Sequence, residues 1–305
     1  MDITRLAPSP TGALHLGNAR TFLINWALAR QRGWRVLLRI EDLDGPRIKA
    51  GADRQAIADL RWLGLDWDDE PVYQSDRLPH YEAAIERLLA SGAAYPCICS
   101  RSEVASAASA PHAEDRTPIY PGTCRTRFAD RDEARAAGRE PAIRFRVPAE
   151  VITIDDGFAR PRAFEVQREL GDFVIAKADR TPAYQLAVVV DDAAAGVTDV
   201  VRGDDLLDST PRQMLLYRAL GLADRMPRYT HLPLVVGADG RRLAKRHGDT
   251  RLSTYREQGV PAERIVAMLA RWSGVSVEGE ALTAHEFLQR FDLARVPHQP
   301  VVFTG

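Results

Sequence analysis

The opening stretch of this chain restricts its fold more than any other part. A short extended run beginning at Ile3 meets a turn-rich segment carrying Pro8, Pro10 and Gly12. Over 19–31 the apolar side chains Phe22, Leu23, Trp26 and Ala27 recur at helical spacing, and Gly33 marks the stop. VLLRIED then reads as a short apolar strand closing on two carboxylates, Glu41 and Asp42. Strand, helix, strand in that order predicts a parallel pair joined by a crossover helix, the start of an open α/β sheet.

Amphipathic spacing predicts two further helices, over 53–63 and 79–90. Character then changes. Between about 93 and 182 lie all three cysteines, seven arginines from Arg125 to Arg146, and extended stretches such as AIRFRV, which together predict an inserted α+β subdomain. Strand signals return at YQLAVVVDD, TDVVRGDDL and HLPLVV, with a helix over 210–221 between the last two. Helical spacing recurs over 261–273 and 284–291, whereas PHQPVVFTG has no helical period. The expected division is a catalytic domain over 1–235, interrupted at about 93–182, then a basic loop and short helical segment over 236–305.

Composition narrows the class. With 45% apolar and 27% charged residues the chain is neither disordered nor fibrous. No apolar run approaches membrane-spanning length, and MDITRLAPSP is no secretory leader, so a cytoplasmic protein without a membrane partner is expected. Three cysteines do not make a disulfide scaffold. A net charge of −1 excludes a protein that simply coats nucleic acid, but leaves room for a local basic face. Lysine is confined to Lys49, Lys177 and Lys245 in a chain rich in arginine, a bias that a GC-rich coding sequence accounts for, with the corollary that these three are candidate places where arginine would not serve.

Two elements suit phosphate. SPTGALHLGN lies between the first strand and the first helix, where open α/β sheets bind ligands and a helix N-terminus offers unpaired N–H groups. His15 is placed to donate to a phosphate oxygen, and Gly17 to admit a nucleotide close to the backbone. The second is RRLAKRHGD, residues 241–249, a basic loop after a strand. Its default role is a solvated or RNA-facing patch, and its sharper one places Lys245 on a triphosphate.

RLAPSPTGALHLGNARTFLINWALA, RIEDLD, YQLAVVVDD, VVRGDDLLDSTPRQMLLYRALG and RLAKRHGD, in this order, resemble the catalytic core of glutamyl-tRNA synthetases. HLGN and RLAKR stand where that class I family carries its HIGH and KMSKS signatures, with Asn18, Ala244 and Arg246 as departures. The resemblance implies a Rossmann-like class I synthetase core with a zinc-bearing α+β insertion and a short helical C-terminal segment. It implies a glutamate pocket from Arg5, Leu6, Ala7, Pro8, Ser9, Glu41, Tyr184 and Arg202, with Arg5 and Arg202 as guanidinium forks and Glu41 on the ammonium. ATP, accompanied by Mg²⁺, falls to His15, Gly17, Asn18 and Lys245, of which His15 and Lys245 are the catalytic pair.

Ser9 stands where glutaminyl relatives carry an acid, which favours glutamate. Only about 55 residues follow Arg251, too few for a large helical anticodon-binding region. A shortened chain of this kind is similar to the glutamyl-queuosine tRNA(Asp) synthetases. That similarity implies transfer of activated glutamate to the queuosine base of tRNA(Asp) rather than to a 3′ end. A truncated 3′-charging synthetase and a non-catalytic RNA-binding relative are the alternatives.

Cys97, Cys99 and Cys124 fall close together and predict a metal site rather than a disulfide. Zinc wants a fourth ligand. Imidazole chemistry favours His112, and the family resemblance points to Tyr120 in its Y-x3-C spacing.

Overall fold

The structure, a computed structural model, describes residues 1–107, 118–241, 243 and 249–304. Strand β1 (Ile3–Leu6), helix α1 (Leu16–Gln31), strand β2 (Arg35–Ile40), helix α2 (Ala52–Trp62) and strand β3 (Val72–Tyr73) build the opening layer. The three strands are parallel in the order β1-β2-β3, with Ile3 opposite Arg35 and Leu6 opposite Leu38. The crossover pair expected from the sequence is present. Helix α1 buries more than one face: Leu16, Leu23, Ile24 and Leu28 are covered, and so are the polar Arg20 and Asn25. A helix covered nearly all round lies between layers rather than at the surface. Asn25 fixes it to the sheet, donating to the Arg5 carbonyl at 3.0 Å and accepting from the Thr4 hydroxyl at 3.0 Å.

After helix α3 (Leu78–Ala90) the chain enters the insertion. This comprises β4 (Ala94–Cys97), α4 (Arg101–Ala107), α5 (Arg131–Ala136), β5 (Ala142–Phe145), β6 (Val151–Ile154), β7 (Arg162–Glu165), α6 (Val166–Glu169) and β8 (Phe173–Ala176). Strands β4, β5 and β8 form one antiparallel sheet, and β6 and β7 pair as a separate antiparallel hairpin.

The segment YQLAVVVDD is not a strand. It is helix α7 (Tyr184–Ala195), closed by Gly196 in the left-handed conformation. Leu186, Ala187, Val188, Val189, Asp191 and Asp192 are all buried, so the segment shows no polar face. A short, continuously apolar run carries no period that separates a buried helix from a buried strand, and here packing overrides the β-branched preference of three consecutive valines.

Strand β9 (Asp199–Gly203), helix α8 (Thr210–Ala219), strand β10 (Arg228–Leu232) and strand β11 (Val235–Val236) follow. β9 and β10 pair in parallel. Thr198 lays this pair beside β1, donating its N–H to the Ile3 carbonyl at 2.9 Å while its hydroxyl accepts from the Ile3 N–H at 2.8 Å. HLPLVV, read as one strand, is split. Pro233 has no N–H to continue a ladder, so β10 ends at Leu232 and β11 pairs instead with the terminal strand. The chain closes with helices α9 (Leu252–Glu257), α10 (Ala262–Trp272) and α11 (Ala284–Arg290) and strand β12 (Val301–Val302).

Two large cores result. One joins α1 and the opening sheet to α10 and α11 through residues such as Leu28, Leu269 and Phe287. The other joins α3 and the insertion to α7 and α8 through Ile85, Phe145, Phe164, Leu186 and Leu216. Among the described residues no helix is long and apolar enough to cross a membrane.

Candidate active site

A cavity of about 640 Å³ opens at the carboxyl ends of β1, β2 and β9, the edge where such sheets take ligands. Arg5, Ala7, Pro8, Ser9, His15, Gly17, Asn18, Glu41, Tyr184 and Arg202 all line it. Leu6 does not: it is fully buried in the core behind the wall. Lys245 lies outside the described residues. The loops after β1 and β2 are stitched together, since the Glu41 N–H donates to the Pro8 carbonyl at 3.0 Å and the Ser9 hydroxyl to the Glu41 carbonyl at 3.2 Å.

His15 is the N-cap of α1. Its Nδ1 accepts from the N–H of Gly17 at 3.1 Å and of Asn18 at 3.4 Å, while Asn18 Oδ1 accepts from the His15 N–H. This capping box gives the Asn18 departure a physical use, because an amide oxygen closes the cap. It also sets the tautomer. With Nδ1 accepting backbone hydrogens, the neutral ring carries its proton on Nε2, the nitrogen suited to donate to phosphate. Gly17 is small for a local reason: a Cβ there would meet the His15 ring at 3.1–3.2 Å. The chain leaving the basic motif returns to this turn, with Leu16 N–H on the Thr250 carbonyl and Leu252 N–H on the Leu14 carbonyl. The described chain at Thr250 and Leu252 is therefore bound directly to the start of α1.

The end of the cavity around Arg5 and Glu41 is a buried charge network. Asp192 of α7 accepts from Arg5 Nε at 3.2 Å and from Arg39 Nη1 at 2.5 Å, and Arg39 Nη2 reaches Glu41 at 3.2 Å. Burial opposes ionisation of Asp192, but Arg39 and Arg5 outweigh it and hold its carboxyl below the usual range. Glu41 goes the other way, burial lifting its carboxyl despite the same two arginines. Burial also raises the Tyr184 phenol. Arg202 donates to His231 Nε2 at 3.0 Å, Gln213 Oε1 at 3.0 Å, Thr210 Oγ1 at 2.8 Å and the Leu206 carbonyl at 3.3 Å. A guanidinium has five N–H groups, so Arg202 keeps a single Nη1 hydrogen for a ligand rather than a fork. Arg5 meets Asp192 through Nε, which leaves its two terminal nitrogens as the forked end.

Sequence reasoning passed over Arg39, Asp192, Asp156 and His231. The first two carried a signal, since a charge inside an apolar run such as VLLRI or LAVVVD must find a buried partner. Asp156 and His231 carried none, because the residues that give them meaning are remote in sequence.

The cysteine cluster lies in the insertion. The sulfurs of Cys97, Cys99 and Cys124 sit within 4.8 Å of one another, all three as free thiols. The Tyr120 hydroxyl joins them, 3.3 Å from Cys97 Sγ and 3.5 Å from Cys99 Sγ, and it accepts from the Cys124 N–H at 2.8 Å. Arg144 donates to Cys97 Sγ at 3.3 Å and places its guanidinium 3.9 Å from the Tyr120 ring centre. Three thiol sulfurs and one phenol oxygen form a four-donor set that would suit a tetrahedral zinc ion, the thiols giving up their protons on binding. His112 lies outside the described residues.

A parallel sheet with this insertion, a histidine-capped first helix beneath the cavity and a chain that returns to that cap at Thr250 and Leu252 are the architecture of a class I aminoacyl-tRNA synthetase. The family model described as "tRNA synthetases class I (E and Q), catalytic domain" matches residues 3–304, and the chain belongs to that family. Over 97% of its length it is 50% identical to the Glutamyl-Q tRNA(Asp) synthetase of Symbiobacterium thermophilum, covering 94% of that relative. The protein of the same name from Rhodopirellula baltica is 47% identical, with 98% of this chain and 96% of the relative covered. The Glutamate--tRNA ligase of Geobacter sulfurreducens is 42% identical, but only 63% of it is spanned. Among solved structures, a glutamate tRNA ligase from Elizabethkingia meningosepticum in complex with its amino acid superposes with a TM-score of 0.83 at 28% identity, covering 99% of this chain and 67% of that one. The resemblance to the glutamyl-queuosine tRNA(Asp) synthetases expected from the sequence is borne out.

Proposed function

We propose that this chain activates L-glutamate with ATP to glutamyl-adenylate and transfers the glutamyl group to queuosine in the anticodon of tRNA(Asp). The observation that carries this reading is the match, along nearly the whole of both chains, to relatives named Glutamyl-Q tRNA(Asp) synthetase. The glutamate α-carboxylate attacks the α-phosphate of ATP, forming the mixed anhydride and expelling pyrophosphate. A hydroxyl of the queuosine cyclopentenediol then attacks the anhydride carbonyl, giving an ester and releasing AMP. Arg5 forks a glutamate carboxylate, Arg202 adds one hydrogen bond, Glu41 takes the ammonium, and Ser9 and Tyr184 shape the wall. Ala7 and Pro8 belong to that wall, and Leu6 acts from behind it. His15 donates from Nε2 to phosphate, Gly17 and Asn18 offer the helix N-terminus to the nucleotide, and Lys245 adds a positive charge as pyrophosphate leaves. Mg²⁺ accompanies ATP. Positioning and electrostatics carry the rate, with no covalent enzyme intermediate.

Cys97, Cys99, Cys124 and Tyr120 hold one zinc ion, whose role is to brace the insertion. The setting is the cytoplasm, where ATP, glutamate and tRNA meet. The test offers labelled glutamate and ATP with tRNA(Asp) with and without queuosine. Label retained only on the queuosine-bearing RNA is expected. Label at the 3′ end of glutamate tRNA would assign the chain to 3′ charging, and glutamate binding without any transfer would make it a binding protein.

A further inference from the structure

Asp156 lies just after β6, in the insertion, yet its side chain is fully buried against the catalytic sheet, with the ring of His231 as its partner. Its Oδ2 meets His231 Nδ1 at 2.5 Å, and its Oδ1 accepts three backbone N–H groups, from His231 at 3.0 Å, Phe158 at 2.9 Å and Ala159 at 2.8 Å. His231 stands beside Arg202 in the parallel register of β10 and β9. Across that register Arg202 Nε points at His231 Nε2. A guanidinium can only donate, so Nε2 must accept, and the ring proton must sit on Nδ1, facing the carboxylate.

We propose that Asp156 and His231 form a buried positioning dyad, which fixes the one histidine tautomer able to hold Arg202 in register for the substrate carboxylate. This rests on the reading of Arg202 as a glutamate ligand. The dyad makes the insertion part of the amino-acid site from behind the cavity wall, beyond what Lys177 and Pro182 add to the lining. Three further groups face the ring. Thr210 at the start of α8 lies 3.2 Å from Nε2, Asp205 adds negative charge from the turn after β9, and Tyr229 stacks at 6.1 Å. Burial and Arg202 both disfavour the imidazolium, against Asp156 and Asp205, and the ring titrates below the ordinary histidine value.

Asp156→Asn is the decisive substitution because its geometry is forced. The three backbone N–H groups at Oδ1 claim the amide oxygen, so the amide nitrogen must face His231 Nδ1. The ring then accepts at Nδ1 and carries its proton on Nε2, donor against donor with Arg202. The expected result is a glutamate dissociation constant raised at least about 10-fold, with ATP affinity within about 2-fold, measured by calorimetry on the intact protein. In ¹⁵N-histidine spectra the protonated nitrogen of His231 should move from Nδ1 to Nε2. An unchanged glutamate affinity, or a ring that keeps its Nδ1 proton, would overturn the proposal. His231→Gln and His231→Leu give an independent check. An amide oxygen can accept from Arg202 and should hold glutamate affinity within about 3-fold, while the leucine cannot. Equal losses in both variants would mean that the ring only fills space. Arg202→Gln separates the two levels: if it leaves glutamate binding intact, Arg202 is no ligand and the pocket assignment itself fails.

Discussion

Asp192→Asn tests whether the end of the cavity around Arg5 and Glu41 is organised by one buried carboxylate. Asp192 is 2% exposed and contacts two guanidinium groups, each 5% exposed, at 3.2 Å and 2.5 Å. At an effective dielectric of about 20, the two contacts amount to roughly 5 and 7 kcal/mol of Coulomb energy before the cost of burying the charges is subtracted. Removing one partner from such a buried arrangement costs about 3–5 kcal/mol, because the charges left behind lose their compensation. The amide keeps the size and one acceptor, so the lower end of that range, about 3 kcal/mol, is expected. Urea unfolding at pH 7, followed by fluorescence of the five tryptophans, measures it. The pH dependence supplies the sign. The folded pKa of Asp192 lies below its unfolded value. Its contribution is therefore complete above about pH 4 and fades as pH falls through the lower, folded value. The gap between wild type and variant should narrow over that acid window. A loss under about 1 kcal/mol at pH 7 would refute the reasoning, since Arg5 and Arg39 would then be compensated by something other than Asp192.

Two further outcomes follow from the geometry. Gly17→Ala pushes a methyl group into the His15 ring at 3.1–3.2 Å, so ATP affinity should fall about 10-fold while glutamate affinity holds, as read by nucleotide titration. Tyr120→Phe removes an oxygen that lies 3.3 Å and 3.5 Å from two thiols and accepts a backbone N–H, so zinc retention against a chelator should weaken about 10–100-fold, whereas purified wild type should carry about one equivalent by metal analysis.

Local signals made much of this molecule legible. The proline- and glycine-punctuated turn at Pro8–Gly12 and the helical spacing after it announced the ligand-binding end of a parallel sheet, and that is where the cavity lies. The clustered cysteines announced a donor set, and their sulfurs do converge. What failed was local evidence under full burial. A helix packed on every side shows no polar stripe, so YQLAVVVDD imitated a strand. Pro233 broke what read as one strand at HLPLVV, although its missing N–H was visible in the sequence. Roles were less legible than positions. Arg202 was recognisable as a pocket arginine, but its four protein acceptors reduce it from a fork to one donor.

Correcting α7 from strand to helix changes how the site is held together. On a strand, Asp191 and Asp192 would point to opposite faces of a sheet, and one of them would leave the catalytic side. On a helix, neighbouring side chains diverge by about 100°, so both can stay buried while addressing different partners. Asp192 turns to Arg5 and Arg39 on β1 and β2. Asp191 turns to Gln74 and Arg77 beyond β3 and to Tyr81 on α3, at 2.8, 2.6 and 2.8 Å. The insertion is fastened by the same kind of bond, through Asp156 on His231 and through Lys177, whose ammonium lies 3.5 Å from Asp44 at the cavity mouth. A surface pair such as the last contributes little to stability. The buried ones set the positions of β1, β2, β9, α7 and the insertion relative to one another through carboxylates that cannot be withdrawn cheaply. A ligand entering this cavity therefore meets arginines whose places are already fixed, and little of its binding energy goes into arranging them.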